Sequence, residues 1–262
     1  MTKPTIALLT DFGTRDHYAG VLKGVILTIC PEATIVDLSH DLPAHDIPFA
    51  ALELAATYKY FPAGTIFLAV VDPGVGTARR GLAAEAGEWK FVAPDNGVLT
   101  EVLREVPPKK VVELTERKYA RPTVSRTFEG RDRFAPAAAW LAKGIQLPAL
   151  GRPVSEYHVL ALPRPSVDGA VLRGEVVRID RFGNVVTNLD RKTCEKFGQG
   201  PLQVAIAGRT MNRIVSTYSE IATGELGALF GSTDHLEFAA HAASAAEVLG
   251  VHVGDGVAVQ RG

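Results

Sequence analysis

A chain of 262 residues with 28 Lys and Arg against 29 Asp and Glu carries a formal net charge of −1, which offers no basic field to hold nucleic acid. At 47% hydrophobic and 22% charged it has the composition of a soluble globular protein of one large or two smaller domains. Only Cys30 and Cys194 are present, far apart and without metal-ligand spacing, and no apolar run nears the ~18 residues that span a bilayer, so a disulfide framework, a zinc site and membrane contact are not expected and a cytoplasmic setting is.

Thr5 to Leu9 is a short apolar strand, ended by Asp11 beside Gly13. From Tyr18 to Ile29 the apolar positions Val21, Leu22, Val25, Ile26 and Ile29 recur at helical spacing, and Pro31 stops that helix. Ala33 to Leu38 reads as a second strand, followed by a polar loop with His40 and His45, and Ile47 to Tyr60 as a second helix. Thr65 to Val71 is an unbroken run rich in β-branched residues, the pattern of a strand buried on both faces, and Pro73, Gly74 and Gly76 then turn the chain sharply. Asp72 therefore stands at a strand's carboxyl end, the edge of an α/β sheet where ligands bind, and Arg79, seven residues on, can fold back toward it.

Phe91 to Ala93 runs into the turn Pro94 to Gly97 before a helix over Val98 to Leu103, and Val111 to Leu114 is a further strand. This alternation predicts an α/β fold with a mainly parallel sheet. Thr127 to Asp132 precedes an apolar helix from Phe134 to Leu141, with Asp132 read as its N-cap and Glu129 left open between a structural and a functional role. Proline-rich texture between Gly144 and Gly174 places a linker near residues 163–168, between an N-terminal domain (1–163) and a C-terminal domain (169–262). Beyond it, Gly174 to Asp180 and Val185 to Leu189 flank a hairpin-like turn, and Leu202 to Ile206, Leu236 to Ala239 and Val257 to Val259 keep the spacing of a small β-barrel or sandwich.

Phosphate-loop, nucleophile-elbow and HExxH signatures are absent, and Asp72-Pro73-Gly74-Val75-Gly76 lacks the third glycine of a dinucleotide fingerprint. What remains is acids at strand ends, Asp11 and Asp72, with Arg79 and Glu129. Such acids hold metals, act as general bases or accept hydrogen bonds from ribose hydroxyls; the shortage of clustered ligands favours the last two, with no metal.

Thr10-Asp11-Phe12-Gly13, Val71-Asp72-Pro73-Gly74-Val75-Gly76, Pro94-Asp95-Asn96-Gly97, Ile179-Asp180-Arg181-Phe182-Gly183-Asn184 and Ser232 through Glu237 occur in this order across nearly the whole chain. Together they resemble the S-adenosylmethionine hydroxide adenosyltransferases, relatives of the fluorinating and chlorinating enzymes. The resemblance implies an N-terminal, mainly parallel α/β sandwich domain, a smaller C-terminal β-barrel, and a homotrimer with sites between subunits. It also implies that water or hydroxide attacks ribose C5′ of S-adenosylmethionine, the substrate, to give adenosine and methionine with no cofactor.

By the same resemblance Asp11 holds the ribose hydroxyls, Asn184, Ser232 and Glu237 hold nucleoside or methionine parts, and Phe182 stacks on adenine. Asp72 and Arg79 match two members of an Asp-Arg-His set that positions the water. Where the family pattern reads Thr-Phe-His-Gly-Arg-Asp this chain has Glu129 for His, which can accept a proton but adds negative charge beside Asp72 and alters the pH response. Val75 and Gly130 stand where the halogenating relatives carry halide-contacting hydroxyls, so halide transfer is not expected. Two further readings stay open: a non-catalytic binder of S-adenosylmethionine or adenosine, and a metal-dependent hydrolase using Asp11 and Asp72.

Overall fold

The computed structural model describes residues 3–262. By internal contacts the chain divides into a first unit ending at Ala161 and a second, Leu162–Gly262.

The first unit is built on seven strands: β1 (Thr5–Thr10), β2 (Thr34–Ser39), β3 (Ile66–Val70), β4 (Gly81–Ala86), β5 (Trp89–Pro94), β6 (Pro108–Leu114) and β7 (Gly151–Pro153), in the order β2-β1-β3-β5-β4-β6-β7. The neighbours β2, β1, β3 and β5 run parallel. Parallel neighbours need crossovers, and α1 (Tyr18–Ile29) and α2 (Ile47–Thr57) supply two of them. The other half of the sheet is antiparallel, because β4 turns straight back into β5 through Gly87 and Glu88 and pairs on its far side with β6, which pairs in turn with β7. The sequence gives no sign of β4: its Gly and Ala residues carry little strand propensity, and burial at five of six positions holds it in place.

Every residue of β3 is buried. Its side chains alternate: Leu68 and Val70 join Leu8, Leu22 and Phe134 on one face, while Phe67 and Ala69 join Leu9, Leu54 and Phe91 on the other. Helices α1 and α4 (Ala135–Ala142) cover the first face, and α2 and α3 (Thr100–Glu105) the second. The expected second helix is shorter than read, ending at Thr57 in a 3₁₀ turn over Tyr58–Tyr60. Asp132 is not an N-cap. A π-helical turn over Gly130–Phe134 precedes α4, and the buried Asp132 side chain turns back to the 121–125 segment instead.

The second unit holds nine strands: β8 (Ser166–Asp168), β9 (Val171–Ile179), β10 (Val185–Asp190), β11 (Leu202–Ile206), β12 (Arg209–Met211), β13 (Ile214–Val215), β14 (Leu226–Phe230), β15 (His235–Ala240) and β16 (Gly256–Arg261). They form one sheet in the order β12-β11-β16-β9-β10-β15-β14-β13, with β8 on β9. Ser166–Asp168, expected within the linker, thus form a strand of this unit. Val204 on β11 and Ala228 on β14 share one core although four strands separate them in the sheet, so the sheet curls into a nearly closed barrel around Val176, Leu236 and Phe238. No helix among the described residues is long and apolar enough to cross a membrane.

Candidate active site

The turn after β3 places Asp72 two residues beyond the strand, and Asn96 fixes that end by donating from Nδ2 to Val71 O at 2.8 Å. Arg79 folds back as its spacing allows. Its Nε donates to Asp72 Oδ1 at 2.8 Å, its Nη2 pairs with Asp72 Oδ2, and its Nη1 donates to Glu129 Oε2 at 2.7 Å. The Asp72, Arg79 and Glu129 side chains are only 6%, 9% and 11% exposed. Burial works against the Arg79 charge, but the hydrogen bonds and charges of Asp72 and Glu129 more than offset it and raise the guanidinium pKa above its ordinary value. The guanidinium also lies over the Phe134 ring, 5.2 Å from its centroid.

Glu129 brings a partner that the sequence reading did not single out. Arg133, one helical turn later, donates from Nη1 to Glu129 Oε2 at 3.0 Å and from Nη2 to Leu114 O at 2.8 Å. The added negative charge beside Asp72 is thus answered within the same turn, at the i,i+4 spacing that makes such pairs readable. Gly76 sets how closely the two loops approach: at φ +79° its Cβ position would lie 2.4 Å from Arg126 O, and its own carbonyl accepts from Arg126 Nη2 at 3.0 Å.

Asp11, Asp72 and Glu129 line one cavity of about 260 Å³. Asp11 Oδ2 accepts from the His45 backbone N–H at 2.8 Å, while His40 is buried and paired through Nδ1 with Thr10 Oγ1 at 2.8 Å. Phe12, Tyr18 and Phe128 wall the cavity as a mutually packed trio, with ring centroids 5.2 to 5.8 Å apart. Phe12 lies two residues past β1 and Phe128 beside Glu129, a signal visible in the sequence, whereas Tyr18 opens α1 and carries no such mark. Val75 and Gly130 also face this cavity.

The remaining expected residues belong to the second unit. Phe182, Asn184 and Ser232 line a cavity of about 740 Å³ with Asp180, Tyr218 and His241. Asp180 organises the turn: Oδ1 accepts from the N–H groups of Phe182 at 2.8 Å and Asn184 at 2.9 Å, and Oδ2 from Asn184 Nδ2 at 2.9 Å. Phe182 is 78% exposed, a large ring left uncovered. Glu237 is buried and stands behind the wall, accepting from Tyr218 Oη at 2.6 Å. Burial and the nearby Asp180 charge push the Glu237 carboxyl up, against the opposing pull of the Tyr218 bond and Arg178. Tyr218 moves upward as well, through burial and the Glu237 carboxylate. Asp180, Tyr218 and His241 join the expected residues here; the last two lie on short irregular segments with no period to mark them in the sequence.

Among the described residues no group of three or more His, Cys, Asp and Glu is arranged to hold a metal ion. The eight expected residues therefore fall into two sets. Asp11, Asp72, Arg79 and Glu129 gather in the first unit, and Phe182, Asn184, Ser232 and Glu237 gather in the second.

Residues 6–151 match the model of the SAM hydroxide adenosyltransferase N-terminal domain, and residues 174–258 match that of the C-terminal domain. An (R)-S-adenosyl-L-methionine hydrolase of Thermus thermophilus is 40% identical over 257 residues, covering 95% of this chain and 96% of that protein. One from Salinispora tropica is 37% identical over 99% of this chain and 98% of its own length, and a fluorinase from an Actinoplanes species is 34% identical over 75% of each. The crystal structure of an uncharacterized conserved protein from Thermotoga maritima, 36% identical, superposes with a TM-score of 0.92 over 98% of this chain and 100% of that one. Matches to both domains, backed by identity along the whole length, establish that the chain belongs to the SAM hydroxide adenosyltransferase family.

Proposed function

We propose that the protein hydrolyses S-adenosyl-L-methionine to adenosine and L-methionine, with water attacking ribose C5′ opposite the sulfur. The observation that carries this reading is the buried Asp72–Arg79–Glu129 chain, whose two carboxylates line the same cavity as Asp11. A sulfonium departs as a neutral thioether and needs no acid. The protein's work is to hold water in line and exclude competing solvent. Asp72 is engaged by Arg79 through both oxygens and acts as a fixed wall. Glu129 uses only Oε2 for its two guanidinium partners, which leaves Oε1 for the water and its proton. Asp11, anchored through Oδ2, presents Oδ1 to the ribose hydroxyls.

Charge supports the same substrate. Three carboxylates, Asp11, Asp72 and Glu129, stand against two guanidiniums, Arg79 and Arg133, so the cavity carries an excess of negative charge that suits a sulfonium and repels a halide. Val75 and Gly130 offer no hydroxyl to an anion. The second unit's cavity takes the remaining parts of the substrate, with Phe182 stacking on adenine and Asn184 and Ser232 binding polar groups. Membership of this family is what supports a homotrimer with sites between subunits. No cofactor or metal enters the scheme, and a cytoplasmic location is part of it.

Chromatography of S-adenosylmethionine incubated with the protein tests this reading. Equimolar adenosine and methionine, unchanged by a chelator and with no 5′-halogenated nucleoside in added chloride or fluoride, are expected. Tight adenosine binding without product contradicts hydrolysis, and loss of product with the chelator points to a metal-dependent reaction instead.

A further inference from the structure

Glu129 faces two cavities. On one side is the cavity it shares with Asp11 and Asp72; on the other is a hollow of about 360 Å³ lined by Glu113, Thr115, Glu116 and Arg117, with Glu129 and Arg133 themselves in its wall. The rear lining is rich in charge, and the space admits on the order of ten waters at about 30 Å³ each. Glu129 stands between the two. Its Oε2 is held by Arg79 at 2.7 Å and by Arg133 at 3.0 Å, whereas Oε1 accepts no hydrogen bond among the described residues. Arg133 is itself tied to β6 through Leu114 O. A carboxylate on a flexible stem is thereby fixed by two cations drawn from separate segments.

Hydrolysis of a sulfonium frees one proton in each turnover. The water oxygen forms the bond to C5′, the C5′–S electron pair leaves with methionine, and a water proton must reach solvent while substrate fills the front cavity. We propose that Glu129 takes this proton on Oε1 and passes it to water in the rear cavity, with Arg133 as the positioning residue that keeps the carboxylate between the two spaces. The inference rests on the hydrolase reading. The charged groups around Glu129 are Arg79, with Asp72 beyond it, and Arg133 of its own turn; Asp11 and His45 border the front cavity, and Glu113, Glu116 and Arg117 the rear.

The test uses the full chain. Glu129→Cys, saturated with adenosine and methionine, is exposed to a small methanethiosulfonate reagent. Continued labelling that is lost when Ala120→Phe narrows the rear cavity is the expected result; full protection by the ligands, or labelling indifferent to Ala120→Phe, overturns it. In the second arm, Arg133→Met removes a cation beside Glu129, so the acid limb of the kcat profile moves to higher pH, and Arg133→Lys moves it back. An acid limb that stays in place in a folded Arg133→Met protein overturns the positioning role, and the labelling arm decides the rear route whether or not that variant folds. If the unaltered protein forms no adenosine, the hydrolase reading fails; if it does while either arm fails, the failure belongs to this inference alone.

Discussion

Arg79 joins two buried carboxylates, and without it Asp72 loses its ion-pair partner while Glu129 keeps only Arg133. Arg79→Met leaves both Asp72 and Glu129 without that cation, and a loss of about 3–5 kcal/mol in a denaturant titration is expected, together with loss of turnover. Glu129→Gln separates chemistry from structure. It keeps the size and one carbonyl oxygen for the guanidiniums but cannot take a proton, so kcat falls about 100-fold or more while the unfolding midpoint moves little. At the other cavity Phe182 supports no core, being 78% exposed, and Phe182→Ala is expected to raise KM about tenfold with stability unchanged, the worth of one base-to-ring stack. A Phe182→Ala protein with unaltered KM contradicts the stacking role.

At the scale of the element, the π-helical turn over Gly130–Phe134 is the feature that serves the site, since Arg133 reaches from it to both Glu129 and Leu114 O while Glu129 holds Arg79 and Asp132 turns the other way. Burial alone would raise the Asp132 carboxyl. The Arg131 hydrogen bonds, the Ser125 N–H and the charges of Arg131 and Arg121 reverse that and hold it below its ordinary 3.8. A depressed carboxyl contributes stability that is complete above the unfolded value and lost as pH falls through the folded one. The melting temperature of the unaltered protein should therefore drop more steeply below about pH 4 than that of Asp132→Asn, measured by calorimetry across pH; parallel curves contradict the assignment. These interactions also explain why Asp132 is misread as an N-cap: an acid ahead of an apolar run fits either role, and only the fold decides. Acid positions after β1 and β3 are legible because Gly13 follows the first strand and Pro73-Gly74 the second, whereas β4 and the short strands β12 and β13 have too little apolar pattern to announce themselves.

For the whole molecule, the five spaced motifs make the family readable from the sequence. Contacts between segments remote in sequence are the hidden ones: Tyr218 is joined to Glu237 across 19 positions, and Arg133, whose pair with Glu129 is readable, is tied to Leu114 across 19 as well. The proposed homotrimer is tested by sedimentation equilibrium, with a mass near three times the 28.0 kDa chain expected and a mass of one chain contradicting it. The most direct measurement of the central claim is turnover of S-adenosylmethionine in water enriched in oxygen-18. Mass spectrometry should find the label in the 5′-hydroxyl of adenosine and none in methionine, with Glu129→Gln giving the same product far more slowly. Unlabelled adenosine, or label in methionine, would show that water does not attack C5′ and would contradict the account.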